Sequence, residues 1–389
     1  MSALPLDILD LIARLLQHNP AALKAACLVA RPFQFAFQAV LFSNVQINNE
    51  TSLNKFLAVI YDQPLFASFV RSLELFFTRG SIGTIFVKLP LLRSLAIRDR
   101  RVLPPELCIA LGVALGSQHL TSFTLWGVQE FPLQVLHEAS ALQHFSSIGT
   151  SYHGQEKALT NTNGDQIQKR ASPRSLLRTL SLSYMGSDNH ELLKWLTHPG
   201  CTVDIRGVKR LVFYVDLELD HNIFCNFLSV IPPTLEHLTF RAPRLISTTS
   251  IWLEQSKDFP LARFTHLRTM TIFTYIKTTE VYTEIDLLPW CHAFLSTLST
   301  PSTVESLEIQ CTWTFMPVTW PRSHPDTARR QRWNDFDGLL SSTAFPSLGE
   351  ISLHLDLREG RLEEVKNAIT RNLPRLEQQG KLRILAMLS

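Results

Sequence analysis

Arginine and aromatic residues recur at one phase of a repeated apolar pattern, and the chemistry that they offer is non-covalent recognition of another protein. They stand between or just after the apolar residues of short predicted strands: Arg98, Trp126, Arg210, Tyr214, His237, Arg241 and Phe273. Arginine, tryptophan and tyrosine supply much of the binding energy at protein interfaces, whereas most neighbouring positions here carry small hydroxylic side chains. These residues are therefore predicted to form a substrate-binding surface, side by side across successive strands.

Motifs for catalysis are missing from the sequence. It has no Gly-rich phosphate-binding loop, no Gly-x-Ser-x-Gly elbow and no His-Glu-x-x-His zinc motif, and its 15 glycines do not cluster. Cys291 and His292 are adjacent, so a helix would point their side chains apart. The 6 cysteines lack a Cys-x-x-Cys pair, which is typical of reduced, buried thiols. We therefore expect no enzyme, no catalytic residues, no metal ligands and no cofactor.

The elements that must position the recognition residues are the strands of an irregular repeat. The pattern apolar-x-x-apolar-x-apolar occurs nine times, as Val70/Leu73/Leu75, Leu92/Leu95/Ile97, Leu120/Phe123/Leu125, Leu177/Leu180/Leu182, Val208/Leu211/Phe213, Leu235/Leu238/Phe240, Leu267/Met270/Ile272, Val304/Leu307/Ile309 and Leu348/Ile351/Leu353. Two weaker copies are Leu142/Phe145 and Leu382/Leu385/Met387. The copies start roughly 22 to 44 residues apart. Each predicts one short strand whose second and third apolar residues point into a core, while the residues between them point outward.

Segments between the copies have helical character, notably Pro105 to Gly116, Glu191 to Thr197 and Pro289 to Leu298. Strands that alternate regularly with helices stack as a solenoid, with parallel strands on the concave face and helices on the convex face. The pattern resembles a divergent leucine-rich repeat. The Asn or Cys expected eight residues after the first apolar residue is replaced, for example by Thr78 or Arg100. An α/β domain with a conventional parallel sheet is the alternative interpretation.

The first 47 residues predict three short helices. Pro5 and Asp7 are typical of a first helical turn, and the apolar residues at helical spacing around them are Leu4, Ile8, Leu11, Ile12 and Leu15. Asn19 and Pro20 are suited to open the next helix, and the further predicted elements are a helix over 21–30, a helix over 33–42 and a strand over 44–47. Three helices of this size cannot bury so many large apolar side chains alone, so a partner is implied.

This segment resembles an F-box, the adaptor-binding motif of Skp–cullin–F-box ubiquitin ligases. The residues that carry the resemblance are Leu4-Pro5, Ile8-Leu9, Ile12 and Cys27-Leu28-Val29-Ala30-Arg31. Asp7, Ala30 and Phe33 depart from the usual residues of the family but preserve their chemical type. The resemblance implies that a Skp-type adaptor, and through it a cullin, is bound by Leu4, Pro5, Ile8, Leu9, Ile12, Leu28 and Val29.

The predicted fold class is α/β, with an N-terminal three-helix F-box over residues 1–47 followed by an irregular leucine-rich-repeat solenoid over residues 48–389. The resemblance implies a substrate receptor that binds a client protein, of unknown identity, through the repeats. Two alternatives stay open. The helices are an ordinary cap on the repeats, with their apolar helix facing inward, or the chain is a repeat scaffold that is not engaged in ubiquitination.

Composition limits the expected partners and compartment. With 389 residues, 45% of them hydrophobic and 18% charged, the chain can bury a large core. A net charge of +3 gives no basic field, so nucleic acid is not an expected ligand. No apolar run reaches bilayer length, and Asp7 and Asp10 interrupt what would be the core of a signal peptide. We therefore expect no membrane contact and a cytoplasmic and/or nuclear location.

Two segments interrupt the repeat. Residues 151–174 are polar and contain Asn161-Thr162-Asn163-Gly164-Asp165, which predicts a flexible excursion. Residues 312–344 hold Trp313, Trp320 and Trp333 beside four arginines, which are Arg322, Arg329, Arg330 and Arg332. A long loop of this composition is either a packed flap or a recognition element.

Overall fold

The computed structural model describes residues 5–76, 82–153, 175–183, 190–214, 221–241, 259–276, 288–298, 300–313, 327–356 and 362–387. The chain forms two compact units. The first comprises Met1–Leu176 with Gly200–Asp204, and the second comprises Leu177–Pro199 with Ile205–Ser389. The division predicted at residue 47 lies inside the first unit.

The first unit combines short helices with parallel strands. Its helices are α1 (Leu6–Leu15), α2 (Pro20–Cys27), α3 (Arg31–Leu41), α4 (Glu50–Asp62), α5 (Pro64–Ala67), α6 (Gly83–Lys88) and α7 (Pro105–Leu115). Its main strands, which pair in parallel in this order, are β1 (Asn44–Ile47), β2 (Ser72–Leu75), β3 (Ser94–Arg98), β4 (Ser122–Trp126) and β6 (His144–Ile148). Two small parallel pairs join β5 (Phe131–Pro132) to β7 (Tyr152–His153) and β8 (Ser175–Leu176) to β10 (Val203–Asp204). Residues Leu133–Glu138 form a 3₁₀ helix.

Local side chains set the starts of these helices. The Asn19 carboxamide oxygen accepts a hydrogen bond from the backbone N–H of Ala22 at 3.0 Å, which caps α2 as its sequence predicts. Asn49 and Ser52 form a reciprocal capping box at the start of α4. Strand β1 was predicted directly after the N-terminal helices. It is the first strand of the sheet in this unit and pairs with β2, where Val45 lies opposite Leu73.

The second unit repeats the same alternation. Its strands, which pair in parallel in this order, are β9 (Thr179–Ser183), β11 (Arg210–Tyr214), β12 (His237–Arg241), β13 (Thr269–Ile276), β14 (Ser306–Trp313), β15 (Glu350–Asp356) and β16 (Leu382–Met387). Its helices are α8 (His190–Thr197), α9 (His221–Val230), α10 (Leu288–Leu295), α11 (Thr327–Leu340), α12 (Leu362–Asn372) and α13 (Pro374–Gln378). Residues Ile205–Gly207 and Leu261–Arg263 form 3₁₀ turns.

The apolar residues of the repeat form the core of each unit. Every residue of the nine clear copies is at most 6% exposed. Equivalent residues pair across neighbouring strands, as Leu95 does with Phe123 and Leu211 with Leu238. The prediction of an α/β repeat with parallel strands and an inward apolar phase is therefore confirmed. Strand neighbours follow chain order within each unit, which is the order of a solenoid.

The phase predicted for the last strand is wrong. Leu382 pairs with Ile351 and Ile384 with Leu353, so Leu385 lies beside outward-facing His354. A strand register displaced by one residue turns every side chain to the other face. Arg383 is exposed between Leu382 and Ile384 and marks the outward side, but the four residues after it are all apolar and carry no further alternation.

The prediction of one long loop over 312–344 is also wrong in part. Strand β14 continues to Trp313 and helix α11 covers Thr327–Leu340, with Trp333 half-buried. Residues 314–326, with Trp320 and Arg322, lie outside the described residues, as do residues 154–174 of the predicted polar excursion.

Asp337 on α11 is predicted to stabilise the second unit by capping α13. This carboxylate is 2% exposed and accepts hydrogen bonds from the backbone N–H groups of Arg375 at 3.0 Å and Leu376 at 3.1 Å. Asp337→Ala leaves both donors without their acceptor and should lower the free energy of unfolding by about 1–3 kcal/mol. Asp335→Ala, at an exposed position of the same helix, should change it by less than about 0.5 kcal/mol. Urea denaturation measures the free energy of unfolding of both variants. Equal losses of stability would show that Asp337 does not act as a cap.

Candidate protein-binding surfaces

The N-terminal helices bury one set of apolar residues and expose another. Their core contains Leu9, Ala13, Leu23, Ala36 and Phe37. The exposed large aliphatic side chains of α1 and of the turn after α2, here called the N-terminal apolar surface, are Leu6, Ile8, Leu11, Leu15, Leu28 and Val29, which are 42% to 88% exposed. Several large exposed apolar side chains in one small module make it a candidate for contact with another protein.

The residues predicted to bind an adaptor divide between these two sets. Ile8, Leu28 and Val29 are exposed members of the N-terminal apolar surface, and Pro5 is exposed next to it. Ile12 is half-buried against the helical core. Leu9 is 1% exposed within that core, so its side chain is not available to a partner. Leu4 lies outside the described residues.

Three members of the N-terminal apolar surface were not among the predicted contacts. Leu6, Leu11 and Leu15 are each more than half exposed. Leu11 and Leu15 share the helical spacing of Ile8, and that spacing was the signal available in the sequence.

The N-terminal helices adjoin the repeat through aromatic contacts within the first unit. Phe42, which follows α3, stacks on Phe66 of α5 with ring centroids 4.6 Å apart. Phe35 meets Phe69 edge-to-face at 5.1 Å. These contacts hold α3 beside the first repeat, since aromatic pairs contribute about 0.5–1.5 kcal/mol beyond their buried area.

The outward face of the first unit carries an arginine between two aromatic rings. The Arg98 guanidinium lies 4.3 Å from the Trp126 ring centroid and 5.4 Å from that of Phe76, and these three residues are here called the first triad. Arg98 Nε forms an ion pair with Glu74, whose other oxygen accepts a hydrogen bond from the Gln46 side chain at 2.8 Å. The predicted neighbours Arg98 and Trp126 thus lie together, and Phe76 joins them.

The outward face of the second unit carries a similar set. The Arg241 guanidinium lies 5.6 Å from the Tyr214 ring centroid, and Tyr214 meets Phe273 edge-to-face at 5.5 Å. These three residues are here called the second triad. Burial raises the pKa of the Tyr214 hydroxyl, and nearby Arg241 and Arg210 act in the opposite direction. The Tyr214 hydroxyl is protonated at neutral pH, as an unperturbed tyrosine also is, and can donate a hydrogen bond.

The remaining two predicted residues lie at the other end of these strands. Arg210 and His237 pair across β11 and β12, and His237 Nδ1 is 2.5 Å from the Thr269 hydroxyl oxygen. Of the seven predicted residues, Arg98 and Trp126 thus lie together in the first unit, and the other five lie on three successive strands of the second.

A polar cluster that the sequence did not reveal lies on β13, β14 and β15. Glu308 Oε1 accepts a hydrogen bond from Gln310 at 2.7 Å and is 3.0 Å from His354 Nε2. Its other oxygen accepts a hydrogen bond from the Thr271 hydroxyl at 3.2 Å. This arrangement fixes one carboxylate on the outward face. Among the residues that the structure describes, no group of His, Cys, Asp and Glu side chains is arranged to hold a metal ion.

Within the described part of the chain, no helix has both the length and the apolar character needed to cross a bilayer.

No protein-family model and no curated protein matches the chain. Thirteen chains of solved structures match it. One, a crystal structure of a protein from Bacteroides fragilis, shares 12% sequence identity over 87% of this chain and 82% of its own, with a TM-score of 0.43. A likeness at that level does not assign the chain to a family.

Proposed function

We propose that this chain is the substrate-recognition subunit of a Skp–cullin–F-box ubiquitin ligase. In this proposal, helices α1 to α3 bind a Skp-type adaptor that links the chain to a cullin, and the outward faces of the strands bind a client protein. The observation that carries the proposal is the N-terminal apolar surface, because it exposes the aliphatic side chains Ile8, Leu28 and Val29 that the F-box resemblance assigns to the adaptor.

The energetics of this surface favour a protein partner. Complete burial of one large aliphatic side chain contributes about 1.5–3 kcal/mol. Six such side chains therefore represent enough apolar area for a stable interface, even after the cost of association is subtracted. The sharp separation between buried Leu9 and exposed Ile8 also argues against an ordinary cap whose apolar helix faces inward.

Client binding is supported by the two triads. Each places an arginine against aromatic side chains on a background of serine and threonine, as Ser122 and Thr124 show on β4. Arginine and aromatic residues are the types enriched at binding hot spots.

Membership of the ligase is tested by co-expressing the intact chain with a Skp-type adaptor and a cullin, and purifying the complex through a tag on the cullin. The proposal expects the chain to be recovered only when the adaptor is present. Recovery that does not require the adaptor, or no recovery of a folded chain, contradicts it. The second outcome leaves the repeat scaffold without a ligase role as the better interpretation.

A further inference from the structure

The two triads, each within its own unit, share one arrangement on three successive strands. In both, equivalent outward positions on successive strands hold an aromatic residue, then arginine, then an aromatic residue. In the first triad, Arg98 pairs with Trp126 on the next strand. On the preceding strand Leu75 pairs with Ile97, so the residue after Leu75, which is Phe76, lies level with Arg98. Arg241 likewise pairs with both Tyr214 and Phe273. An arrangement that occurs twice on outward positions, where core packing does not require it, indicates a common use.

We infer that the first triad binds one carboxylate or phosphate group on an extended segment of the client. This inference rests on the proposed function in one respect, namely that the outward faces of the strands are where a client binds. It adds the chemical class of the group that is recognised and the residue that recognises it.

Arg98 is held in place before any ligand binds. Two ring faces contact the guanidinium, and Glu74 forms an ion pair with its Nε. The Gln46 side chain donates a hydrogen bond to the other oxygen of Glu74 and so holds that carboxylate in place. A guanidinium that is already oriented loses less conformational entropy on binding than a freely rotating one.

The terminal N–H groups of Arg98, which are the donors left for a ligand, suit a planar oxyanion. Arg98 Nε is buried whereas the side chain as a whole is 36% exposed, so its exposure lies on other atoms. Within the described residues, neither terminal nitrogen of Arg98 has a hydrogen-bond partner. Two parallel N–H groups on a planar fork match the two oxygens of a carboxylate or phosphate.

The surface around Arg98 leaves room for a ligand. Phe76 and Trp126 are 40% and 42% exposed, so their outer faces can pack against the apolar part of a ligand. The neighbouring outward positions hold small side chains, Ala96 on β3 and Thr124 on β4. A peptide backbone can therefore approach the strands next to the triad.

The charge around the triad favours a peptide over a nucleic acid. The triad contains one arginine, and the carboxylate of Glu74 lies directly beside it. A nucleic acid gains its affinity from many phosphate contacts with clustered cations, which a chain of net charge +3 does not provide. A single charged group within an otherwise neutral segment fits this surface better.

The test uses the intact chain and immobilised pools of capped nonapeptides. Each pool has one fixed central residue, which is Asp, Glu, phosphoserine, phosphothreonine, Asn or Ser, within randomised neutral flanks. We expect one acidic class to retain at least about tenfold more chain than the Asn and Ser pools. Comparing the amount of chain retained by the Asp and Glu pools with that retained by the two phosphorylated pools shows whether carboxylate or phosphate is preferred.

Two matched variants show whether the preference belongs to the triad. Arg98→Gln should abolish it, whereas Arg100→Gln removes the same charge from an exposed neighbour and should leave it unchanged. Arg98→Lys keeps the charge without the planar fork and should retain only part of it. Circular dichroism confirms folding, and Arg98→Lys serves alone if Arg98→Gln does not fold.

Three results would overturn the inference: no pool binds, neutral pools bind as well as acidic ones, or Arg100→Gln loses the preference as fully as Arg98→Gln. Adaptor capture is measured on the same preparations. A chain that fails to bind the adaptor but still selects acidic peptides would contradict the ligase proposal while leaving the recognition role of the triad intact.

Discussion

Leu238→Ala is expected to lower the free energy of unfolding of the second unit by about 2–5 kcal/mol. Leu238 is 2% exposed in the middle of β12, and its neighbours across the sheet are Leu211 and Met270. Truncation removes buried apolar area and leaves a cavity between stacked strands that cannot fully collapse.

The adjacent Thr239→Ala is the matched control. Thr239 is half-buried on the outward side of the same strand, and its replacement should cost well under about 1 kcal/mol. Leu180→Ala and Ser181→Ala on β9 form a second pair with the same expected contrast, because Leu180 is completely buried. Urea denaturation monitored by circular dichroism measures all four. Similar losses within a pair would mean that the assigned inward and outward phase is incorrect.

Ile8→Asp combined with Leu28→Asp is expected to weaken adaptor binding at least about 100-fold. The change places two carboxylates in an apolar contact, where an unpaired charge is very costly to desolvate. Folding should persist, because Ile8 is 42% and Leu28 88% exposed in the free chain. Leu9 is unsuitable for this purpose, since a charge there would disrupt the helical core instead of the interface.

Gln17→Asp combined with Gln34→Asp is the control for the added charge. Both positions are exposed and polar within the same three-helix module, so the pair adds two carboxylates without replacing a member of the N-terminal apolar surface. Surface plasmon resonance with immobilised adaptor should give an affinity within about threefold of wild type. Wild-type affinity for the Ile8/Leu28 variant, or an equal loss for both double variants, would remove this surface from the interface.

The repeat was predictable because burial imposes a strict period of two on each strand. Leu73 and Leu75 are completely buried while Glu74 between them faces outward, and the same alternation holds on the next strand. Where a segment carries little alternation, as over 384–387, the phase is harder to read, and on this strand only Arg383 marks the outward side.

The candidate site was predictable only where it follows from phase alone. Arg98 and Trp126 stand at equivalent outward positions of neighbouring copies, so their proximity could be anticipated. Phe76 stands at the equivalent outward position of the preceding copy but was not selected as a candidate, although its aromatic type suits a binding surface. Glu308 aligns with Ser352 and Gln310 with His354, so the contact between Glu308 and His354 runs diagonally across β14 and β15. Such a contact depends on side-chain conformation, which the spacing of the copies does not specify.

Leu9 shows a different limit of sequence reasoning. Ile8 and Leu9 are adjacent and equally apolar, and they point about 100° apart around a helix. Spacing identifies an apolar helix, but the packing of α3 against α1 decides which residue enters the core. The structure places Leu9 inside and leaves Ile8 on the surface.

Hydrogen–deuterium exchange of the intact chain, alone and with a purified Skp-type adaptor, tests the central claim most directly. Amides that a partner covers exchange more slowly, and the effect is assigned to individual peptides. If the N-terminal helices bind the adaptor, we expect slower exchange in peptides spanning residues 6–29 and unchanged exchange in the strands of the second unit. Unchanged exchange over residues 6–29 at saturating adaptor, or protection confined to the strands, would contradict it.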